Sequence, residues 1–201
     1  MTHRPIQLDD FAVKYLESLP GITWGDKADI LLTATGLRPT ALAHLEHEDS
    51  PIKPGVLGVE GAQIEAFGAV LDQLGLQYVT RNRVLYEDDE KQLGKEIVDF
   101  FASRDEASAK KLKDAFIAGN HTFIGLTLGY PKTAVEAFLT ADMLPPAGHP
   151  ISTATVSEQN MRLLAHRLSK SHWEDEVHYL QEGGEALKKI SPLIYARITV
   201  R

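Results

Sequence analysis

The stretch "LQYVTRNRVLYE", residues 76–87, decides how the fold is read. Tyr78, Val79, Val84 and Tyr86 are β-formers flanking the polar run "TRNR". Two short apolar arms around a polar tip predict a two-stranded hairpin. It is the only good strand signal in the chain. An isolated hairpin is marginal in water, so it needs helices or another strand to pack against. Its neighbours read as helices. "VEGAQIEAFGAVLDQLG" (59–75) carries a stripe of Ile64, Phe67, Val70, Leu71 and Leu74 and closes at Gly75. "EKQLGKEIVDFFAS" (90–103) and "DEASAKKLKDAFIAG" (105–119) both look helical, the second with Ala107, Leu112, Ala115 and Phe116 inward.

Working outward, the amino-terminal part also reads as helices. "LDDFAVKYLESL" (8–19) places Leu8, Phe11, Tyr15 and Leu19 at near-helical spacing, with Asp9 and Asp10 where acids suit the helix dipole. "DKADILLTAT" (26–35) is a second helix, stopped by Gly36, and "TALAHLEH" a third, started near Pro39. "DSPIKPGVLG" (49–58) is a loop. On the carboxy-terminal side, Asn120 can cap a helix in "HTFIGLTLG". "MLPPAGHPIST" (143–153) is a Pro-rich linker. The run from 155 to 190 is one long helix or two, with Gly183 and Gly184 as a break, and "SPLIYARITVR" is a last helical turn or a strand.

The expected fold is therefore mostly α, a helical domain of about eight to ten helices with one small β-hairpin and helix-turn-helix-like hairpins. Residues 1–142 form the helical domain, with the hairpin near 76–87. Residues 143–153 link it to a helical segment, 154–201, that packs on the first.

Composition narrows the function. Twenty-one basic and 28 acidic residues give a net charge of −7, against a surface that is basic overall, as many nucleic-acid binders have. There is no cysteine, which excludes disulfides, thiolate nucleophiles and Cys-type metal sites. The first twenty residues lack a signal-peptide core, and no apolar run reaches membrane-span length, so a cytoplasmic protein is expected.

"LGYPKTAVEAFL" (128–139) fits a helix-turn-helix: Gly125 as the small residue, Gly129 as the turn, Val135 as the lock. If residues 121–140 read DNA, Lys132, Thr133 and Glu136 face the groove, with Lys110, Lys111 and Lys113 near for phosphates. That is a poor base-reading set. The stretch has an echo: "TGLRPTALAHL" (35–45) parallels "LGYPKTAVEAF" (128–138), with Gly36 matching Gly129, although Leu32 stands where a small residue is wanted. Duplication and convergence on good turn chemistry both remain open.

The run Ile124-Gly125-x-x-Leu128-Gly129-Tyr130-Pro131, followed by Val135 and Phe138, resembles the signature of an uncharacterised bacterial domain family. "GLRP" (36–39) and "RVLYE" (83–87) are similar to two further stretches of that family. The resemblance spans roughly residues 26–140. Thr122 and Phe123 replace the family's common His-Glu pair, its cysteines are absent, and the carboxy-terminal third departs. The resemblance implies a bacterial origin and a shared scaffold, and no activity.

Three candidate chemistries remain. "HLEHED" places His44 and His47 three apart, beside Glu48 and Asp49, so both imidazoles can reach one metal ion on a helix. "SHWEDEVH" offers His172 with Glu176, and Glu174 with His178. Arg81 and Arg83, at the expected hairpin tip, can hold an anion or an acidic partner, and Trp173 with Val177 and Leu180 can dock a helix or a partner. No phosphate loop or nucleophile elbow is present, "GVLGVEG" (55–61) follows no strand, and no cofactor is expected. These features point first to a non-enzymatic protein acting through protein–protein contacts, then to a DNA-binding regulator, then to a metal-dependent hydrolase.

Overall fold

The computed structural model describes residues 8–46, 55–57, 59–88, 93–144, 160, 163 and 168–198. In chain order its elements are α1 (Asp10–Ser18), α2 (Trp24–Ala34), β1 (Thr40–Glu46), β2 (Gly55–Leu57), α3 (Gly61–Gln73), β3 (Gln77–Asp88) and β4 (Leu93–Ser103). They continue with α4 (Glu106–Ile117), α5 (His121–Thr127), α6 (Lys132–Thr140), α7 (Trp173–Ile190) and α8 (Pro192–Arg197). Among the described residues no helix is long and apolar enough to cross a membrane.

The mostly helical expectation is wrong: this is a mixed α/β fold around a four-stranded sheet. Three readings fail together. "TRNR" is no hairpin tip but the middle of β3, which runs unbroken and pairs antiparallel with β4. It contains no glycine or proline to turn the chain, and its residues alternate across the sheet. The supposed helix at 90–103 supplies β4, the central strand. β3 takes one of its edges, while β1 (antiparallel, 97–103) and β2 (parallel, 93–95) share the other. "TALAHLEH" supplies β1 in place of a third helix.

β4 misleads because it is covered on both faces. Ile97, Val98, Phe100 and Phe101 are all buried, so the strand shows an apolar run without the period-two pattern of a half-exposed strand. On one face Val98, Phe100 and Ala102 join Ala41, Ala43 and Leu45 of β1. There they meet Leu16 of α1, Ile30 of α2, Phe67 of α3, Leu180 of α7 and Ile194 of α8. The Phe67 and Phe100 rings meet edge to face, 4.6 Å between centroids. On the other face α4 covers the sheet, and the Phe101 and Phe116 rings lie 5.5 Å apart. Each such ring removed from water contributes about 2–3 kcal/mol.

Smaller corrections have the same physical origin. α1 buries Ala12, Val13 and Leu16, while Phe11 stays 68% exposed, so its core stripe is not Phe11–Tyr15. In α4 it is Ala109, not the exposed Ala107, that lies inside with Leu112 and Ala115. α7 passes through Gly183 and Gly184 without a break. A Cβ on Gly184 would stand 2.1 Å from Asn160 Oδ1, so this glycine serves close approach rather than interruption. The segment after Pro192 is helical. Most of the expected linker, residues 145–153, lies outside the described residues.

Candidate functional site

Asp99 stands in the middle of β4 and is completely buried. Across the sheet it faces His44 of β1 on one side and Arg81 of β3 on the other. Partners in register point to the same sheet face, and Arg83, two residues on, points there too. The Asp99 carboxylate accepts hydrogen bonds from His44 Nδ1 at 2.8 Å and from Arg83 Nε at 2.9 and 3.1 Å. Burial alone would raise its pKa, but the hydrogen bonds from His44 and Arg83, together with their charges, hold it below the ordinary carboxylate value. Asp99 is therefore ionised and accepts only. The His44 nitrogen facing it must therefore carry the hydrogen.

His44 is also fixed through its backbone. Its N–H donates to Asp26 Oδ2 at 3.2 Å, tying the outer edge of β1 to the first turn of α2. Thr23 caps that helix by accepting from the Asp26 N–H at 3.1 Å. Next to it, Asp29 pairs with Arg38, both nearly buried. Burial works against the Arg38 charge, but Asp29, Tyr179 and Tyr130 outweigh it and keep the guanidinium more basic than usual.

Above His44 opens a cleft of about 460 Å³. One wall is the start of α2, with Thr23, Trp24, Gly25, Asp26 and Asp29. The floor is Leu42 and His44 of β1, and the other wall is Leu128 and Tyr130 of the α5–α6 turn. The two echoed turns pack against each other, and Leu128 and Tyr130 of the second line the cleft. Gly36 and Gly129 both have φ of +82°, and a Cβ on Gly129 would stand 2.6 Å from Cδ of Pro39. Thr40 Oγ1 donates to the Thr127 carbonyl at 2.7 Å.

In the α5–α6 hairpin, Val135 packs where a Cβ on Gly125 would be, 2.9 Å from its Cγ2, so the two helices lie close together. On α6, exposed Lys132 pairs with Glu136 at 3.2 Å, whereas Thr133 Oγ1 donates to the buried Glu176 at 2.6 Å. These three do not present one reading surface. Glu176 also accepts from the Ser169 backbone and hydroxyl, which makes it a latch between α6 and α7, and His172 joins it through the backbone, donating its N–H to Ser169 Oγ and accepting from the Glu176 N–H at 3.2 Å. His178 lies 3.6 Å from Glu182. Arg81 lies over the Phe116 ring, 5.9 Å to its centroid, and Arg83 is held by Asp99, so neither arginine sits at a hairpin tip. Trp173 packs beside Leu168 and Val177 in a small second cluster. His47 lies outside the described residues, and among those residues no three histidine or acidic side chains are grouped to hold a metal.

Sequence reasoning singled out His44 and Arg83 but not the residues that make them a site: Asp99, Asp26, Asp29, Trp24 and Tyr130. One signal was available. An aspartate inside the apolar run "IVDFFA" is a buried charge in need of partners. No family model, curated protein or solved structure matches the chain.

Proposed function

We propose that this chain is a bacterial cytoplasmic binding protein that holds a small organic ligand in the cleft between α2, β1 and the Leu128–Tyr130 turn. One observation carries this reading: a wholly buried carboxylate, Asp99, is spent on orienting His44 beneath an open cleft. Burying a charge costs several kcal/mol unless it is paired, and an apolar residue would stabilise the sheet centre at less cost. Apolar surface with a few converging polar groups is the usual make-up of a ligand site. Trp24, Leu42 and Leu128 supply the first here, and His44, Asp26 and Tyr130 the second.

The test is an amide NMR titration with three flat probes: benzamidine, benzamide and benzoate. Shifts that cluster on Trp24, His44 and Tyr130 for at least one probe are expected. Shifts scattered over the surface, or none with any probe, would sink the reading.

A second reading, contact with a protein partner, is favoured by a separate observation. Ile117, Phe123, Leu126, Phe138 and Leu139, on the neighbouring helices α4, α5 and α6, are each 42–57% exposed. Such a group of exposed large side chains is a common mark of an interaction surface. If it serves that role, Phe138→Lys abolishes capture of a partner that the unaltered chain retains; equal capture by both would remove the reading.

A further inference from the structure

The size of the apolar face on α4, α5 and α6 says what fits it. Ile117 ends α4, Phe123 and Leu126 lie one helical turn apart on α5, and Phe138 and Leu139 belong to α6; each is about half exposed. α4 packs against α5 and α5 against α6, and the His121 and Phe138 rings, 6.2 Å apart, tie the start of α5 to the end of α6. Half-exposed side chains of this kind, roughly 150–250 Å² each when whole, leave on the order of 500 Å² of apolar surface. A standard interface takes about 800 Å² from each partner, and in homodimers about 65% of it is apolar. The face therefore has the apolar area of one side of a dimer.

Charge selects the occupant. The chain carries −7 overall, whereas residues 106–140 hold four lysines against three acidic side chains. The negative charge thus sits on the rest of the molecule, and two copies repel one another through it. The α4–α6 face is where they can meet without that cost. The exposed pairs Lys110–Glu106, at 2.7 Å, and Lys132–Glu136, at 3.2 Å, set one charge of each sign on α4 and on α6. A partner of one uniform charge would meet a like charge in each pair, while an identical face turned about a two-fold axis brings the same mixture. We propose that this face docks a second copy of the chain, apolar patch against apolar patch. This rests on the reading of the face as an interaction surface.

The experiment is sedimentation velocity on the full chain over about 1–100 μM, with circular dichroism to show that each variant is folded. A dimer that dissociates on dilution is expected. Phe138→Lys on α6 and Phe123→Lys on α5 should each weaken it at least about tenfold, since each sets an ammonium in the centre of the apolar contact. Phe11→Lys is the control: Phe11 is 68% exposed but lies on α1, outside the patch, and its loss should leave the dimer unchanged. A dimer that survives both Phe138→Lys and Phe123→Lys, or assembly that grows beyond two copies, would overturn the proposal. So would a monomer at every concentration. In that last case, a different protein captured by the unaltered chain and lost by Phe138→Lys would leave the surface reading standing with another occupant. Equal capture by both would remove the surface reading as well.

Discussion

Two stretches of this chain share a turn and part company after it. "TGLRPTALAHL" and "LGYPKTAVEAF" each place a glycine at φ +82°, then a proline, then Thr-Ala and a branched apolar residue. The first leads into β1 and the second into α6. In β1 the buried side chains Ala41, Ala43 and Leu45 alternate, and the strand lies along β4. In α6 the buried set Ala134, Val135 and Ala137 has helical spacing and closes on Gly125. Turn chemistry specifies the turn. The element after the turn is set by the surface available to it, a strand edge in one case and a helix groove in the other.

The sharpest way to break the comparison is to add a methyl group at each turn glycine. Gly129→Ala combines a left-handed backbone with a contact to the Pro39 ring, which cannot swing away. It should cost about 2–4 kcal/mol, seen as a clear drop in the denaturation midpoint. Next in size is Asp99→Asn, which keeps shape and removes charge, and should cost about 2–3 kcal/mol at neutral pH. Its pH dependence comes from the lowered folded pKa of Asp99. A depressed carboxylate adds stability above its unfolded value of about 4, and that share is lost as pH falls through the folded value. The gap between Asp99→Asn and the unaltered chain should therefore narrow below about pH 4, and a constant gap would show that charge is not the cause.

Gly36→Ala should be milder, about 1–2 kcal/mol: the φ is the same, but the added methyl meets the Arg104 guanidinium tip, which can move. Equal losses at Gly36 and Gly129 would mean that backbone strain alone matters and that the Pro39 contact does not. Lys132→Ala should change stability by less than about 0.5 kcal/mol, since it breaks only an exposed pair with Glu136. A larger loss in thermal melts would give that pair a role the geometry does not predict.

The same comparison explains what could be read in advance. α2 and α5 carry their own punctuation: Asn120 caps α5, while Gly36 and Gly129 take the left-handed φ that ends each helix. β1 carries none, and alanine, leucine and glutamate are good helix formers, so "TALAHLE" (40–46) is a strand only because β4 lies beside it. β4 in turn hides its period by being buried on both faces. The site inherits the difficulty. His44 and Asp99 are 55 residues apart and meet only through strand pairing, so reading β1 as a helix sent His44 toward His47 and a metal rather than toward Asp99. Arg83 was legible as a residue of interest, but its partner was not.

The most direct test is the tautomer of His44, read from the nitrogen signals of its ring by NMR at neutral pH. The clamp by Asp99 predicts a hydrogen fixed on Nδ1, with the preference lost in Asp99→Asn. A bare Nδ1 with the hydrogen on Nε2, or the averaged signals of a solvent-exposed imidazole, would contradict the Asp99–His44 arrangement and the cleft reading built on it.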